Sequence, residues 1–229
     1  MRVVAALFWT LLAGSMALAS ARAAEPVVGL DDLPLVALPP ARAGGGRMAI
    51  LVTGDGGWAG LVSTVSAALA ADGIGVAGLN SLKYFWSERS PEETTRDIER
   101  IAEYYGRAWH AERIILIGYS FGADVLPVVV NRLRPDIRAR VAGLTLIAPS
   151  PVANFEVHVT GWLGVHHPGL PVVPDLERLR GLPMVCIYGE ADDESVCPSL
   201  PRGLARVVKL DGGHHFGGDF AAVAGLVLP

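Results

Sequence analysis

Arg113-Ile-Ile-Leu-Ile-Gly-Tyr-Ser-Phe-Gly-Ala-Asp124 is the stretch whose reading decides the fold. An apolar, β-branched run, Ile114 to Ile117, ends in Gly118-Tyr119-Ser120-Phe121-Gly122, and helix-compatible residues follow. A buried-type strand, a sharp turn and a helix make a nucleophile elbow, in which Ser120 takes a strained backbone conformation with its hydroxyl exposed. Gly118 and Gly122 are needed because strand and helix pass too close there for a Cβ. The N–H of Phe121 points to the place where a tetrahedral oxyanion would form. The five-residue pattern alone is weak; its strand and helix context gives it weight.

Outward from the elbow, strands alternate with helices. Upstream, Leu35 to Leu38 reads as an edge strand and Met48 to Thr53 as a buried parallel strand. A helix follows over Leu61 to Ala70, then a strand over Ile74 to Leu79. Ser90-Pro-Glu-Glu93 starts the next helix, with Ser90 as N-cap, Pro91 at the first position and Glu93 closing a capping box; it runs to about Trp109. Downstream, Ser120 to Arg134 is helical, with a bend expected at Pro127. Val141 to Ala148, Met184 to Tyr188 and Val207 to Leu210 are strands, and Phe220 to Leu228 is a terminal helix. The alternation predicts a mostly parallel sheet with helices on both faces. Residues 149–182 interrupt it and are expected to form an insertion or lid over the site.

The 229 residues fit one domain, and 51% hydrophobic content with mean hydropathy +0.39 implies a well-filled core. Part of that apolarity is a leader. Met1-Arg2 is a short basic start, Val3 to Ala19 is apolar, and Ala21-Arg22-Ala23 offers a cleavage site. Residues 1–23 are therefore expected to be a signal peptide and 24–229 an exported, periplasmic domain. The formal charge of −4 becomes about −6 when Arg2 and Arg22 leave with the leader. Nothing resembles a basic stripe, so nucleic acid is not an expected partner. Cys186 and Cys197, an even pair in an exported chain, are expected to form a disulfide. No His or Cys stands at ligand spacing beside them, and neither metal nor cofactor is expected.

In a parallel sheet, functional groups gather at the carboxyl ends of strands. Tyr188-Gly-Glu-Ala-Asp192 follows one strand and Leu210-Asp-Gly-Gly-His-His-Phe216 the last. Ser120, Asp192, His214 is the chain order of an α/β-hydrolase triad. Asp192 is preferred over Glu190, Asp193 and Glu194, and His214 over His215. Gly54-Asp55-Gly56 follows an early strand, where backbone N–H groups of Asp55 and Gly56 would complete an oxyanion hole with Phe121. A serine is a weak nucleophile until an imidazole takes its proton, and the imidazole needs a carboxylate to fix its tautomer. Cys197 lies just past the acid loop, so its bond to Cys186 would tether that loop to its strand.

Gly54-Asp-Gly-Gly-Trp58, Tyr84-Phe-Trp86, Gly118-Tyr-Ser-Phe-Gly-Ala-Asp-Val-Leu-Pro127, Phe155-Glu-Val-His158, Gly161-Trp-Leu-Gly164, Cys186-Ile-Tyr-Gly-Glu190 and Gly213-His-His-Phe216 together resemble the bacterial VirJ/AcvB virulence-protein family. The chain looks like that family's short, single-domain form. The resemblance implies an exported α/β-hydrolase associated with hydrolysis of lysyl-phosphatidylglycerol, an aminoacylated membrane lipid, and with type IV secretion components as partners. It implies Ser120 as nucleophile, Asp192 as acid and His214 as base. Asp124 and Glu156 are candidates to meet the lysyl ammonium groups, and Lys83 to face the phosphate. Trp58, Trp162 and His215 are further candidate substrate contacts. The rival expectations are a generic esterase on soluble esters and a non-catalytic factor that keeps the fold.

Overall fold

The computed structural model describes residues 29–42, 45–158 and 168–228. The expected leader, Trp162 and the middle of the 149–182 segment lie outside them.

The central strands carry apolar residues at successive positions because both faces of the sheet are covered. In β2 (Arg47–Val52), Met48, Ile50 and Val52 enter one core, while Ala49 and Leu51 enter the other. β4 (Arg113–Tyr119) repeats this, with Ile114 and Leu116 on the first side and Ile115 and Ile117 on the second. The remaining strands are β1 (Leu35–Leu38), β3 (Gly75–Leu79), β5 (Val141–Ile147), β8 (Met184–Gly189) and β9 (Arg206–Leu210). Seven strands lie in the order β1-β3-β2-β4-β5-β8-β9, all parallel except β1, which pairs antiparallel with β3. The chain winds outward from β2 to β3, then returns to place β4 on the other side of β2. That reversal opens a crevice at the carboxyl ends of β2 and β4, where ligands bind in open α/β sheets.

One face carries α1 (Leu61–Ala71) and the C-terminal α7 (Phe220–Ala224). The other carries α3 (Pro91–Ala108), α4 (Phe121–Val130), the short α5 (Pro135–Arg138) and α6 (Val172–Arg178). The capping box that starts α3 forms as the sequence predicts: Glu93 N–H donates to Ser90 Oγ (3.1 Å), and the Glu93 carboxylate accepts from Ser90 N–H (2.8 Å). A one-turn helix absent from the sequence reading, α2 (Ser81–Tyr84), follows β3 and is capped by Asn80.

Three elements differ from expectation. α4 stops at Val130, four residues early, and Pro127 stays inside it. The terminal helix stops at Ala224, since Gly225 follows and the tail is used otherwise. Val227 is buried, and its carbonyl accepts a 2.7 Å hydrogen bond from Thr145 Oγ1 in β5. The 149–182 segment does not simply interrupt the alternation. A two-stranded ribbon, β6 (Val152–Ala153) with β7 (Leu170–Pro171), leads into α6, whose Val172 and Leu176 are buried in the first core. Asn131, at the end of α4, donates to the Asp175 carbonyl and carboxylate, both at 2.9 Å. α6 is thus the helix between β5 and β8. Its seven residues, with Pro174 among them, are too short for a periodicity to show.

Candidate active site

Ser120 stands between β4 and α4 with φ 50° and ψ −120°, a region L-residues rarely occupy. Close packing holds it there. A Cβ on Gly122 would lie 2.1 Å from the Val52 carbonyl oxygen, and one on Gly118 would lie 2.5 Å from the Ala123 Cα. The helix amides begin at Phe121; first-turn N–H groups have no partner within their helix and carry its positive dipole end.

Beside the elbow, the loop after β2 is built on Thr53. Its backbone carbonyl accepts from Ser81 Oγ (2.7 Å), and its hydroxyl accepts from Ser81 N–H (2.9 Å) and donates to the Gly54 carbonyl (2.9 Å). Gly57 N–H then closes a turn on Gly54 (3.0 Å). This puts Asp55 and Gly56 in the cleft wall. The Thr53–Ser81 tie joins residues 28 apart, holds the loop after β2, and is a contact that the sequence reading did not find.

The loops after β8 and β9 continue the ladder of their strands. Glu190 N–H donates to Leu210 (2.7 Å) and Ala191 N–H to Gly212 (2.9 Å). Contact is so close that a Cβ on Gly189 would meet the Gly213 carbonyl at 2.2 Å. His214 is thereby set beside Asp192: Nδ1 lies 3.0 Å from Asp192 Oδ2, and Nε2 lies 2.8 Å from Ser120 Oγ. The Asp192 side chain is only 5% exposed and that of His214 34%. A disulfide joins Cys186 in β8 to Cys197, so the acid loop is closed at its base.

The neighbours that competed on sequence make other contacts and stand outside the Ser120–His214–Asp192 line. Glu190 pairs with Lys209, which holds its carboxyl below the usual range. Asp193 and Glu194 line the cleft with Asp55. His215 Nδ1 is 2.7 Å from the Tyr119 hydroxyl, whose pKa burial pushes up to about 12. Tyr119 is therefore neutral at ordinary pH, and its ring abuts Gly54 on the opposite side.

Four expected substrate contacts are placed away from the cleft. Asp124 is buried in α4, where Ser150 N–H donates to its Oδ1 (2.7 Å) and Ser150 Oγ lies 2.6 Å from its Oδ2. Burial pushes its carboxyl up to about 8, against the Ser150 hydrogen bonds that pull it down. Trp58 lays its indole on β3, so near Gly78 that a Cβ there would sit 1.9 Å from the ring. Lys83 is exposed at the end of α2. Glu156 is half-buried, 3.9 Å from His158 Nε2, on the strand-like strap that pairs with the chain around Phe85. None of the four lines the cleft, a space of about 800 Å³ walled by the four loops and Ser150. Ser150 is the described residue of 149–182 that reaches it. Among the described residues, no three His, Cys, Asp or Glu side chains are grouped as metal ligands.

The family model of the bacterial virulence protein VirJ matches residues 46–229, which include every loop of this cleft. The chain belongs to the VirJ family. The fold of this VirJ-family chain is that of the α/β-hydrolases. A serine hydrolase homologue from Coxiella burnetii superposes with TM-score 0.59 at 17% identity, covering 84% of this chain and 88% of that one. Est1E from Butyrivibrio proteoclasticus gives 0.58 at 13%, covering 86% and 93%. MenH from S. aureus gives 0.61 at 13%, covering 84% and 96%. At such identities the likeness speaks for the fold alone. No curated protein sequence matches the chain.

Proposed function

We propose that this VirJ-family chain is a periplasmic serine ester hydrolase, acting on the aminoacyl ester of a membrane lipid such as lysyl-phosphatidylglycerol. The observation that carries the hydrolase reading is the unbroken hydrogen-bond line Ser120 Oγ–His214 Nε2, His214 Nδ1–Asp192 Oδ2, ending on a serine in a strained elbow. Esterases among the structural neighbours agree with it.

In this mechanism His214 takes the Ser120 proton at Nε2 as Oγ attacks the ester carbonyl. Asp192 accepts from Nδ1–H and stabilises the imidazolium. The oxyanion forms against the Phe121 N–H and the amides of Asp55 and Gly56. Collapse expels the alcohol, which takes its proton from His214. Water, deprotonated by the same imidazole, then attacks the acyl-enzyme and frees the acid and Ser120.

The acyl group is read from charge. Asp55, Asp193 and Glu194 put three carboxyl groups on the cleft wall, which suits a cationic acyl moiety such as lysyl and disfavours an anionic one. The disulfide fits an oxidising compartment, and no described helix is long and apolar enough to cross a membrane. The test has two arms. A fluorophosphonate probe is expected to label the wild-type chain and not Ser120→Ala; absence of wild-type labelling would refute the hydrolase reading. Vesicles containing lysyl-phosphatidylglycerol are expected to release lysine. Labelling without lysine release, together with turnover of a soluble ester, would leave a generic esterase.

A further inference from the structure

Asp124 is not used in the mechanism above, yet it is a carboxyl group buried one helical turn beyond the nucleophile. Its backbone N–H donates to the Ser120 carbonyl (3.1 Å), so its position is tied to that of Ser120. Both carboxyl oxygens are spent on Ser150, 26 residues away in the loop after β5. The chain enters that loop through Ala148, buried and with φ 50°, a conformation an alanine keeps only when its surroundings impose it. Between them lies Pro149, whose carbonyl accepts from Val196 N–H at 3.0 Å. Val196 is the last residue of the acid loop before the disulfide-bonded Cys197.

We propose that Asp124 is a positioning residue: by holding Ser150 it fixes the loop after β5 and, through Pro149, keeps the Asp192 loop in register with Ser120. The acid loop then has two fastenings at its far end, the disulfide to its own strand and the Val196–Pro149 bond to the loop after β5, which Ser150 joins to Asp124 of the nucleophile's helix. The charges facing the Asp124 carboxyl are Asp55, from the loop after β2, and Glu194, from the acid loop; both are of like sign. With burial they push the carboxyl up, while Ser150 N–H donates to Oδ1 and Ser150 Oγ donates to Oδ2. An asparagine keeps the acceptor for the Ser150 N–H at its amide oxygen, and its amide nitrogen donates to the Ser150 hydroxyl oxygen, so two hydrogen bonds still join the residues.

The kinetic part of the test rests on the hydrolase reading; the exchange part does not. The full-length chain is compared with Asp124→Ala, Asp124→Asn and Ser150→Ala, each alone and with Cys186→Ser/Cys197→Ser. Hydrogen exchange of the Val196 amide is read beside kcat and KM for p-nitrophenyl acetate. Asp124→Ala is expected to speed Val196 exchange about tenfold and to lower kcat about tenfold with KM nearly unchanged, a loss of alignment rather than of binding. Asp124→Asn is expected to restore both to within about threefold of wild type, because two hydrogen bonds to Ser150 remain. Removing the disulfide should enlarge the Asp124→Ala effect on Val196 exchange beyond the sum of the separate effects, since both ties hold one loop. Should Asp124→Ala not fold, Ser150→Ala, which removes only the hydroxyl, is expected to show the same changes on a smaller scale. Val196 exchange unchanged in folded Asp124→Ala or Ser150→Ala, failure of Asn to rescue, or strict additivity with disulfide loss would overturn the proposal. If wild type takes no fluorophosphonate and hydrolyses no ester, the hydrolase reading falls while Val196 exchange still judges this one.

Discussion

The cleft has two sides, and they are held in different ways. On the nucleophile side, the loops after β2 and β4 are fixed by contact at van der Waals range, where Gly122 touches Val52 and Gly118 touches Ala123. On the acid–base side, where Gly189 also lies close to Gly213, the loops after β8 and β9 are held in addition by a backbone ladder, a disulfide and Val196–Pro149. Contact packing tolerates no added atom, whereas a set of separate ties can lose one member and persist. The two sides should therefore respond differently to substitution.

The largest effect tests whether they work as one unit. His214→Ala is expected to lower kcat by about four to six orders of magnitude, and adding Ser120→Ala should lower it little further. Near-multiplicative losses would mean that the two groups act independently.

The next effect concerns Asp124, which reaches from one side to the other. Its folded pKa of about 8 stands above the ordinary carboxylate value, so the folded state holds a proton that the unfolded chain gives up. Its contribution favours folding below about pH 4 and is lost progressively as pH rises to about 8. Asp124→Asn does not titrate. Relative to wild type, its stability in urea melts should rise by up to several kcal/mol across that window and then level off. A flat difference from pH 4 to 8 would contradict the buried, protonated acid.

Gly122→Ala probes the packed side alone. With 2.1 Å left for the new Cβ, it is expected to cost about 3 kcal/mol and most of the activity. Cys186→Ser/Cys197→Ser probes the tied side and should cost about 2–3 kcal/mol while leaving a folded, partly active chain. If the disulfide variant were the more damaging of the two, the contrast between the sides would be reversed. Smallest of all, Lys209→Ala removes an exposed partner of Glu190, and the thermal midpoint should stay within error.

How far the sequence could be read follows the same division. The elbow was legible because its causes are local: a β-branched run, two glycines and a serine within a few residues. Ser90 and Glu93 announced their helix for the same reason. The chemistry of Asp192 and His214 could be placed on the right loops, but choosing between neighbours needed the distances to Ser120. Asp124 could not be read at all, because its burial depends on Ser150, far off in sequence. Trp58 looked like a cleft aromatic until the absence of a side chain at Gly78 was seen to make room for it on β3. α6 escaped notice because seven residues show too little of a helical period, and its anchoring depends on Asn131 of another helix.

The bonds from Glu190 to Leu210 and from Ala191 to Gly212 have a kinetic consequence. They make the strand ends that carry carboxylate and imidazole one hydrogen-bonded unit. A displacement of that unit against β4 would change the gap to the serine oxygen more than the spacing of carboxylate and imidazole. Under the hydrolase reading, that gap is the distance over which the serine proton is transferred.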